Sequence, residues 1–312
     1  MYDPRGKILD KTRFMTGRLV LLFSTLAVTA VLFFSPQVAK GAPPALEPEA
    51  VKLLPKIPEG TAQAIYPDSS WDPEVLRFLH MGPAFLPKDT AFEVPAFPAN
   101  DSPETSAELE TLKNFAANLR TPETVKLIVF ENDMPTPLVS YEEVGLFSSE
   151  KNPEAEELIT KVVVDAGVFI ISYKKEFLRV RPDFLAPDLK TVIPNPGHPA
   201  YPSGHGGQSH IVGLILAMLD EKHKDIYMAH AWAIGTRREI AGVHYPSDSV
   251  AGRKLAEDVL AKLMKVPEFQ EQLKEAKASF VAPDESAFEN YKPLIIDPAL
   301  IVKPQTPEPT KQ

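Results

Sequence analysis

The sequence contains no cysteine among its 312 residues. Disulfide bonds, thiol nucleophiles and cysteine-ligated metal sites are therefore excluded, and the fold must be stabilised by packing. A His-Glu-x-x-His pattern or comparable ligand cluster is also missing, so the sequence argues against a zinc enzyme. The hydrophobic content of 44% is that of a globular protein, and the length suits one core of about 150–200 residues with tails.

Positive charge is in deficit, since the formal net charge is -9. This balance disfavours nucleic acid as a partner, because its phosphates would be repelled everywhere except at a local cationic pocket. A small phosphorylated molecule could still bind in such a pocket. Long apolar runs are scarce in the rest of the chain after the N-terminal segment. The longest is Ile211–Leu219, which is much shorter than the roughly 20 residues that a membrane span needs.

The N-terminus resembles a targeting segment. Arg13 and Arg18 precede an apolar stretch at Leu19–Phe34, and small residues follow at Ala39–Ala42. This order is typical of a secretory signal peptide. We therefore expect residues 1–42 to direct export to a bacterial periplasm or to the outside. The alternative is an uncleaved N-terminal anchor, which would be the only contact with a membrane.

The remaining chain is dominated by helical spacing, and no alternating strand pattern competes with it. The sequence thus predicts an all-α helical bundle. We expect a proline-rich arm at 43–98, a helical domain at 99–282, and a proline-rich tail at 283–312 that packs loosely or is disordered. The predicted helices cover 72–79, 105–119, 153–180, 204–219, 224–241, 247–264 and 267–279.

Two cations near residue 180 form a first candidate group. Lys174 and Arg181 are seven residues apart and differ by only about 20° around a helix, so they share a face. Pro182 would end that helix directly after the second cation. We therefore expect Lys174, rather than Lys175, to point with Arg181 into one cavity, while Arg179 lies on another face.

The stretch Ser203-Gly204-His205 precedes an apolar helical run and forms a second group. Ser203 is a natural N-cap, and free amides at a glycine-containing helix N-terminus bind oxyanions. His205 would lie in the first turn, close enough to give or take a proton.

A third group follows between two predicted helices. Pro246 suits the first position of the later helix, which places His244 at its entrance and Asp248 in its opening turn. A carboxylate there could hold one imidazole nitrogen and leave the other as a nucleophile or base. Together with Arg238, the three groups supply three cations, two imidazoles and one carboxylate, an inventory that suits a bound phosphate.

The order of these motifs resembles the type 2 phosphatidic acid phosphatase (PAP2) superfamily. Three parts of the sequence match its pattern. They are a lysine and an Arg-Pro pair separated by six residues, then Pro-Ser-Gly-His, and then an arginine, a histidine and an aspartate separated by five and three residues. The superfamily includes soluble bacterial class A acid phosphatases, membrane lipid phosphatases and vanadium-dependent haloperoxidases. Residues 100–105 and 120–123 resemble the soluble bacterial members. The resemblance covers about residues 95–265 and implies a helical bundle of the PAP2/haloperoxidase type.

The resemblance implies a role for each matched residue. His244 would attack phosphorus to give a phosphohistidine, Asp248 would orient it, and His205 would protonate the leaving group and then activate water. The residues implied to hold the non-bridging oxygens are Lys174, Arg181, Ser203, Gly204 and Arg238. No metal or other cofactor is implied for the phosphatases. The sequence departs from the family at Arg237, where a serine is usual.

We therefore expect an exported acid phosphatase that hydrolyses phosphate monoesters, with an acidic optimum because His205 must be protonated to act as the acid. The alternatives are a haloperoxidase that holds vanadate on His244, a phosphatase of lipid phosphates or diphosphates, and a non-catalytic anion-binding protein. His198, on the loop before the second motif, is a candidate substrate contact. The oligomeric state does not follow from the sequence.

Overall fold

The computed structural model describes residues 59–304, the side chains of residues 77 and 78 excepted. Every regular element in this range is helical, which confirms the predicted all-α class. The α-helices are α1 (Pro73–Phe78), α2 (Pro103–Asn118), α3 (Pro122–Asp133), α4 (Leu138–Glu143), α5 (Pro153–Phe177), α6 (Pro182–Leu185), α7 (Gly204–Leu219), α8 (Lys224–Ile240), α9 (Pro246–Leu263), α10 (Pro267–Ser279) and α11 (Glu285–Asn290).

Local capping chemistry explains where several of these helices begin. Ser102, Thr121 and Ser203 each precede a helix and accept a hydrogen bond from a backbone amide of its first turn. In α2, α3 and α9 a proline occupies the start of the helix, where its missing N–H costs nothing and its fixed φ is already helical.

Helix α7 is the centre of the bundle. It packs against α5, α8 and α9, and Ile211, Val212, Ile215 and Leu216 are fully buried. A helix that is apolar on every side is stable only when other helices surround it. The N-terminal end of α7 is therefore held firmly among the elements that carry the sequence motifs.

Helix α5 ends earlier than the sequence predicts. It stops at Phe177, and Leu178 follows in the left-handed region with φ 52°, where its amide donates to the carbonyl of Lys174 at 3.0 Å. Pro182 begins α6 instead of ending α5. The prediction that Lys174 and Arg181 share one helical face is therefore wrong, because a left-handed cap separates them.

Helices α3, α4, α6 and α11 are not predicted from the sequence. In α3, only Ile128 and Glu131 of twelve residues are buried, whereas Leu127 and Val129 are exposed. The helix therefore lacks the apolar stripe by which an amphipathic helix is recognised. The others have six residues or fewer, too few to display a period.

The segments on either side of the helical domain pack against it. In residues 59–98, Leu86 is buried and its amide donates to the Asp165 carboxylate at 3.2 Å. In residues 283–304, Phe288 is buried and stacks on His223 with ring centroids 3.6 Å apart. Over 283–304 the tail thus contacts the helical domain at Phe288, while most of its other residues are exposed.

Two parts of the sequence predictions lie outside the described residues. They are the signal peptide at 1–42 with the first part of the arm, and the last eight residues of the tail. The domain boundaries remain predictions. Among the helices of residues 59–304, none combines the length and apolar character that crossing a bilayer requires.

Candidate active site

The three sequence motifs meet where the N-termini of α7 and α9 cross. The amide of Ser203 donates to the carbonyl of Asp248 at 2.9 Å, which ties the two helix starts together. The crossing depends on glycine: a Cβ on Gly252 would collide with the carbonyl of Ser203, and one on Gly207 would lie 2.7 Å from the carbonyl oxygen of Gly252. The close approach brings the Ser203–His205 stretch beside His244.

His244 and Asp248 form a buried pair. The Nδ1 of His244 lies 3.0 Å from Oδ2 of Asp248, which also accepts from the amide of Tyr245 at 3.0 Å. Because the carboxylate accepts, Nδ1 of a neutral His244 carries the proton and Nε2 has the free lone pair. Arg181 donates from Nη1 to this Nε2 at 3.1 Å. The pair therefore presents a nucleophilic nitrogen toward a cation.

Besides Arg181, two more buried cations, Lys174 and Arg238, act electrostatically on His244. Lys174 Nζ donates to the carbonyls of Pro199 and Ala200 at 2.8 and 2.9 Å. Arg238 is 1% exposed, yet its only side-chain hydrogen bonds in the described residues are two contacts of 3.3 Å to Asn132 Oδ1, and its Nε has no partner there. A buried guanidinium with unused donors is suited to bind an oxyanion.

Burial and mutual repulsion disfavour positive charge on these groups. Burial, with the Arg181 charge next in size, lowers the pKa of Arg238 to about 9. Burial also lowers the pKa of Arg181 to about 10 and that of Lys174 well below its usual value. The pKa of His244 is likewise well below normal, because of burial and then Arg181 and Lys174. A bound anion would offset all of these effects at once.

His205 lies in the first turn of α7. Its Nε2 is 3.1 Å from the backbone carbonyl of Glu131, at the end of α3. A carbonyl only accepts, so Nε2 carries a proton and Nδ1 is the atom available for proton transfer. Burial and the charge of Arg238 lower the pKa of His205 to about 3. The Ser203 hydroxyl caps the same turn by accepting from the amide of Gly206 at 3.2 Å.

A cavity of about 310 Å³ opens on the His205 side of the cluster. Its lining includes His205, Gly204 and Lys174 but not His244. The candidate substrate contact His198 also lines it, with Nδ1 3.1 Å from Arg181 Nη2. The rest of the lining is largely apolar: Val75, Gly167, Ile170 and Ile171, with Glu74 and Gln208.

The structure thus brings together all eight residues that the sequence predicts for the site. It also adds Arg179, which the sequence placed on another face. Arg179 is fully buried, donates to Oδ1 of Asp248 at 2.7 Å, and stacks on Tyr245 with its Cζ 3.7 Å from the ring centroid. The error follows from extending α5 to residue 180, which gave Arg179 a helical direction that it does not have.

Two further residues were missed because α3 was missed. Asn132 faces Arg238, as described above. Glu131 accepts from Arg237 in a buried two-point ion pair, from Nε to Oε2 at 2.7 Å and from Nη2 to Oε1 at 2.5 Å. The only sequence signal was the departure from the family pattern at Arg237, which did not reveal its partner.

Comparison with known proteins places this site in a family context. Residues 158–268 match the family model described as PAP2 superfamily, and all eight predicted site residues lie in that range. The chain is 32% identical over 145 residues to a non-specific acid phosphatase of Providencia stuartii, covering 45% of this chain and 58% of that protein. A non-specific acid phosphatase of Salmonella typhi is 29% identical over 128 residues, covering 39% and 50%.

A third relative is a lipid A 1-phosphatase of Rhizobium etli, 34% identical over 94 residues, which covers 29% of this chain and 40% of the relative. The chain thus spans about half the length of the curated relatives that it matches.

Two solved structures are also similar. A bacterial vanadium-dependent iodoperoxidase has a TM-score of 0.49 at 16% identity, covering 69% of this chain and 63% of that one. A transmembrane PAP2-type phosphatidylglycerolphosphate phosphatase from Bacillus subtilis has a TM-score of 0.39 at 20% identity, covering 53% and 88%.

Proposed function

We propose that the chain is a phosphatase of the PAP2 type that hydrolyses phosphate monoesters through a phosphohistidine on His244, since residues 158–268 match the PAP2 superfamily model. The observation that carries the proposal is the pair of His244 and Asp248, with the free Nε2 of His244 directed at Arg181. Curated relatives named non-specific acid phosphatase support the reaction class.

In the first step the cations and the N-terminus of α7 hold the non-bridging oxygens of the ester. Nε2 of His244 attacks phosphorus, the N–P bond forms, and the P–O bond to the organic group breaks. Asp248 stabilises the positive charge that develops on the imidazole. Most of the catalytic effect would come from positioning and charge stabilisation, as is usual for phosphoryl transfer.

The leaving oxygen takes a proton from Nδ1 of His205. Nucleophile and leaving group lie in line on opposite sides of phosphorus. His205 but not His244 lines the cavity, so we assign the cavity to the leaving group. The organic part of the ester would therefore lie in that cavity, against Ile170 and Ile171.

The second step reverses the proton transfer. Neutral His205 takes a proton from a water molecule, the resulting hydroxide attacks phosphorus, and the N–P bond breaks to release inorganic phosphate. His244 and His205 are then in their starting states. The proposal assigns no metal ion or other cofactor to either step.

Acidic pH would favour this cycle, because His205 starts as the acid and its pKa is lowered in the protein without substrate. The phosphate that binds beside it supplies the negative charge that raises this pKa again.

We further propose that the N-terminal residues 1–42 export the protein. Fractionation of cells that produce the full chain tests this, and recovery from the cytoplasm alone would refute it.

Steady-state assays test the proposed reaction. The full chain is given p-nitrophenyl phosphate, with and without EDTA, and His244→Ala is the matched variant. We expect hydrolysis that resists EDTA and that falls by about 1,000-fold or more in the variant, since a covalent step cannot occur without its nucleophile. No hydrolysis, or equal hydrolysis by His244→Ala, would refute the assignment.

Two parallel assays examine the other reactions of this site. The relative named lipid A 1-phosphatase makes a lipid phosphate the second candidate substrate, so a phosphorylated lipid in mixed micelles is compared with the soluble ester at equal concentration. A mixture of vanadate, peroxide and halide examines peroxidase chemistry. Preference for the lipid would change the proposed substrate, and halide oxidation without ester hydrolysis would replace the proposed reaction.

A further inference from the structure

Arg237 and Glu131 form an ion pair that the proposed reaction does not use. Arg237 is 6% exposed and Glu131 is fully buried, and two hydrogen bonds of 2.7 and 2.5 Å join them. Burying two charges costs so much desolvation that such a pair contributes little net stability compared with apolar residues. The pair therefore calls for a role other than stability.

The position of Glu131 suggests that role. It lies in the last turn of α3, and this turn reaches the active site twice. The backbone carbonyl of Glu131 accepts from Nε2 of His205 at 3.1 Å, and the next residue, Asn132, accepts from Arg238. One end of one helix thus contacts the proposed acid and one of the proposed phosphate ligands.

Little else in α3 fixes this end. Only Ile128 and Glu131 are buried along the helix. The side chains of Glu131 and Asn132 both reach α8, and Glu131 makes the shorter contacts, at 2.7 and 2.5 Å against 3.3 Å for Asn132. Its carboxylate also accepts from the Ser140 hydroxyl at 3.1 Å, but Arg237 is its only charged partner in the described residues. A two-point contact between a guanidinium and a carboxylate fixes direction as well as distance.

We propose that Arg237 is a positioning residue for His205: by fixing Glu131, it holds the carbonyl that keeps the proton on Nε2 and leaves Nδ1 for the leaving group. This inference rests on the proposed function for its kinetic consequence, but not for its geometry. It accounts for the arginine at a position where the family usually has serine, because a serine side chain is too short to reach Glu131 from α8.

The kinetic test compares esters that need the acid to different degrees. An n-alkyl phosphate has a poor leaving group that must be protonated, whereas p-nitrophenolate leaves with little help. The quantity measured is kcat/KM for the alkyl ester divided by kcat/KM for p-nitrophenyl phosphate. In Arg237→Met we expect this ratio to fall by about 10-fold or more, a fraction of the full effect of a general acid.

Two companion variants separate positioning from damage to the fold. Arg237→Met leaves a buried carboxylate without its charged partner. The double variant Glu131→Gln with Arg237→Met removes both charges, so we expect it to fold. Its ratio of kcat/KM values should fall as much as that of Arg237→Met. Arg120→Met is the matched control. It removes an arginine that donates to the carbonyls of Ile240 and Lys190 but does not contact the site, and its ratio should equal that of the wild type.

Nitrogen-15 NMR of the His205 imidazole, assigned with His205→Gln, reads the positioning without turnover. We expect the Nε2-protonated form in the wild type and in Arg120→Met, and a mixture of the two neutral forms in the double variant. An unchanged imidazole signal in the double variant, or an equal loss for both esters, would overturn the inference. Failure of the wild type to hydrolyse either ester would instead refute the proposed function, while the imidazole signal would still decide this inference.

Discussion

At the scale of single residues, the site depends on hydrogen bonds that set which nitrogen of each imidazole carries a proton. Asp248 holds the proton of His244 on Nδ1, and the Glu131 carbonyl holds that of His205 on Nε2. The two rings therefore differ in which nitrogen is unprotonated, and in the proposed reaction one is the nucleophile and the other the proton donor. Environment, rather than residue type, makes this distinction.

The first prediction concerns Asp248. In Asp248→Asn the amide would present a donor either to His244 Nδ1 or to Arg179, both of which now donate to the carboxylate. We expect kcat to fall by at least about 100-fold because the ring loses its orientation and its charge partner. Asp258→Asn, which alters a surface pair with Lys254, is the control, and an equal kcat in both variants would contradict this role.

The second prediction concerns pH. His205 must be protonated to act, and its pKa is about 3 before substrate binds, because of burial and then Arg238. A bound phosphate raises that pKa, so activity is lost with rising pH at a higher value in the complex than in the free protein. We expect the descending limb of kcat to lie at higher pH than that of kcat/KM. Coinciding limbs across full pH–rate profiles would argue against His205 as the acid.

At the residue scale, the sequence was enough to predict that the motif residues lie together, but not to predict the residues that contact them. Spacing within short motifs was enough to select His205, His244 and Asp248, because each lies next to a recognisable helix start. Arg179 and Asn132 carry no such local signal. Their importance comes from contacts with residues that are distant in sequence, which a single sequence does not reveal.

At the scale of elements, the long buried helices were predictable and the short or exposed ones were not. Helices α7, α8 and α9 begin and end within a residue or two of their predicted bounds, because their apolar periodicity and start signals agree. The end of α5 was misplaced, since Val180 continues the apolar pattern although Leu178 has already left the helix. Helix α3 was missed because it exposes apolar residues and buries a glutamate.

The third prediction tests the crossing of α7 and α9. A Cβ at Gly252 would collide with the backbone carbonyl of Ser203, so Gly252→Ala must push the two helix starts apart. We expect a lower melting temperature and a loss of kcat, since the separation of His205 from His244 changes.

Gly82→Ala is the matched control for this crossing, because a Cβ at Gly82 meets nothing within 4 Å. Thermal denaturation and steady-state kinetics on both variants provide the comparison. A Gly252→Ala protein with the melting temperature and kcat of Gly82→Ala would show that the close approach is not needed.

At the scale of the whole molecule, the site concentrates positive charge inside a protein with a net charge of -9. Local burial, rather than the overall charge, therefore determines what the site attracts. The same burial affects stability. The pKa values of His198, His205, His230 and His244 are all lowered, mainly by burial.

The fourth prediction follows by linkage. Below about pH 6.5 the unfolded chain binds protons on these histidines, while the folded chain does not. Folding stability therefore falls as the pH decreases toward the folded-state pKa of His205 and His230, which is about 3. Glu239 and Asp165 act in the opposite direction, because burial raises the pKa of Glu239 to about 7 and that of Asp165 above its usual value, but two groups do not offset four.

We therefore expect the melting temperature to be lower at pH 5.5 than at pH 7.5. Inorganic phosphate should restore part of the lost melting temperature, because it binds the folded state. Differential scanning calorimetry with and without phosphate provides the measurement. The phosphate effect should be absent in Arg238→Met, which lacks a proposed ligand. A melting temperature that is constant or rises toward acidic pH would contradict the assignment of these buried histidines.

Trapping the covalent intermediate would show whether His244 is phosphorylated during turnover. The full chain is mixed with a phosphate monoester, quenched in base within milliseconds, digested and analysed by mass spectrometry, with His244→Ala treated in parallel. We expect a base-stable, acid-labile phosphate on the peptide that contains His244 and none in the variant. Hydrolysis with no phosphorylated histidine at any quench time, or a phosphate on another residue, would contradict it.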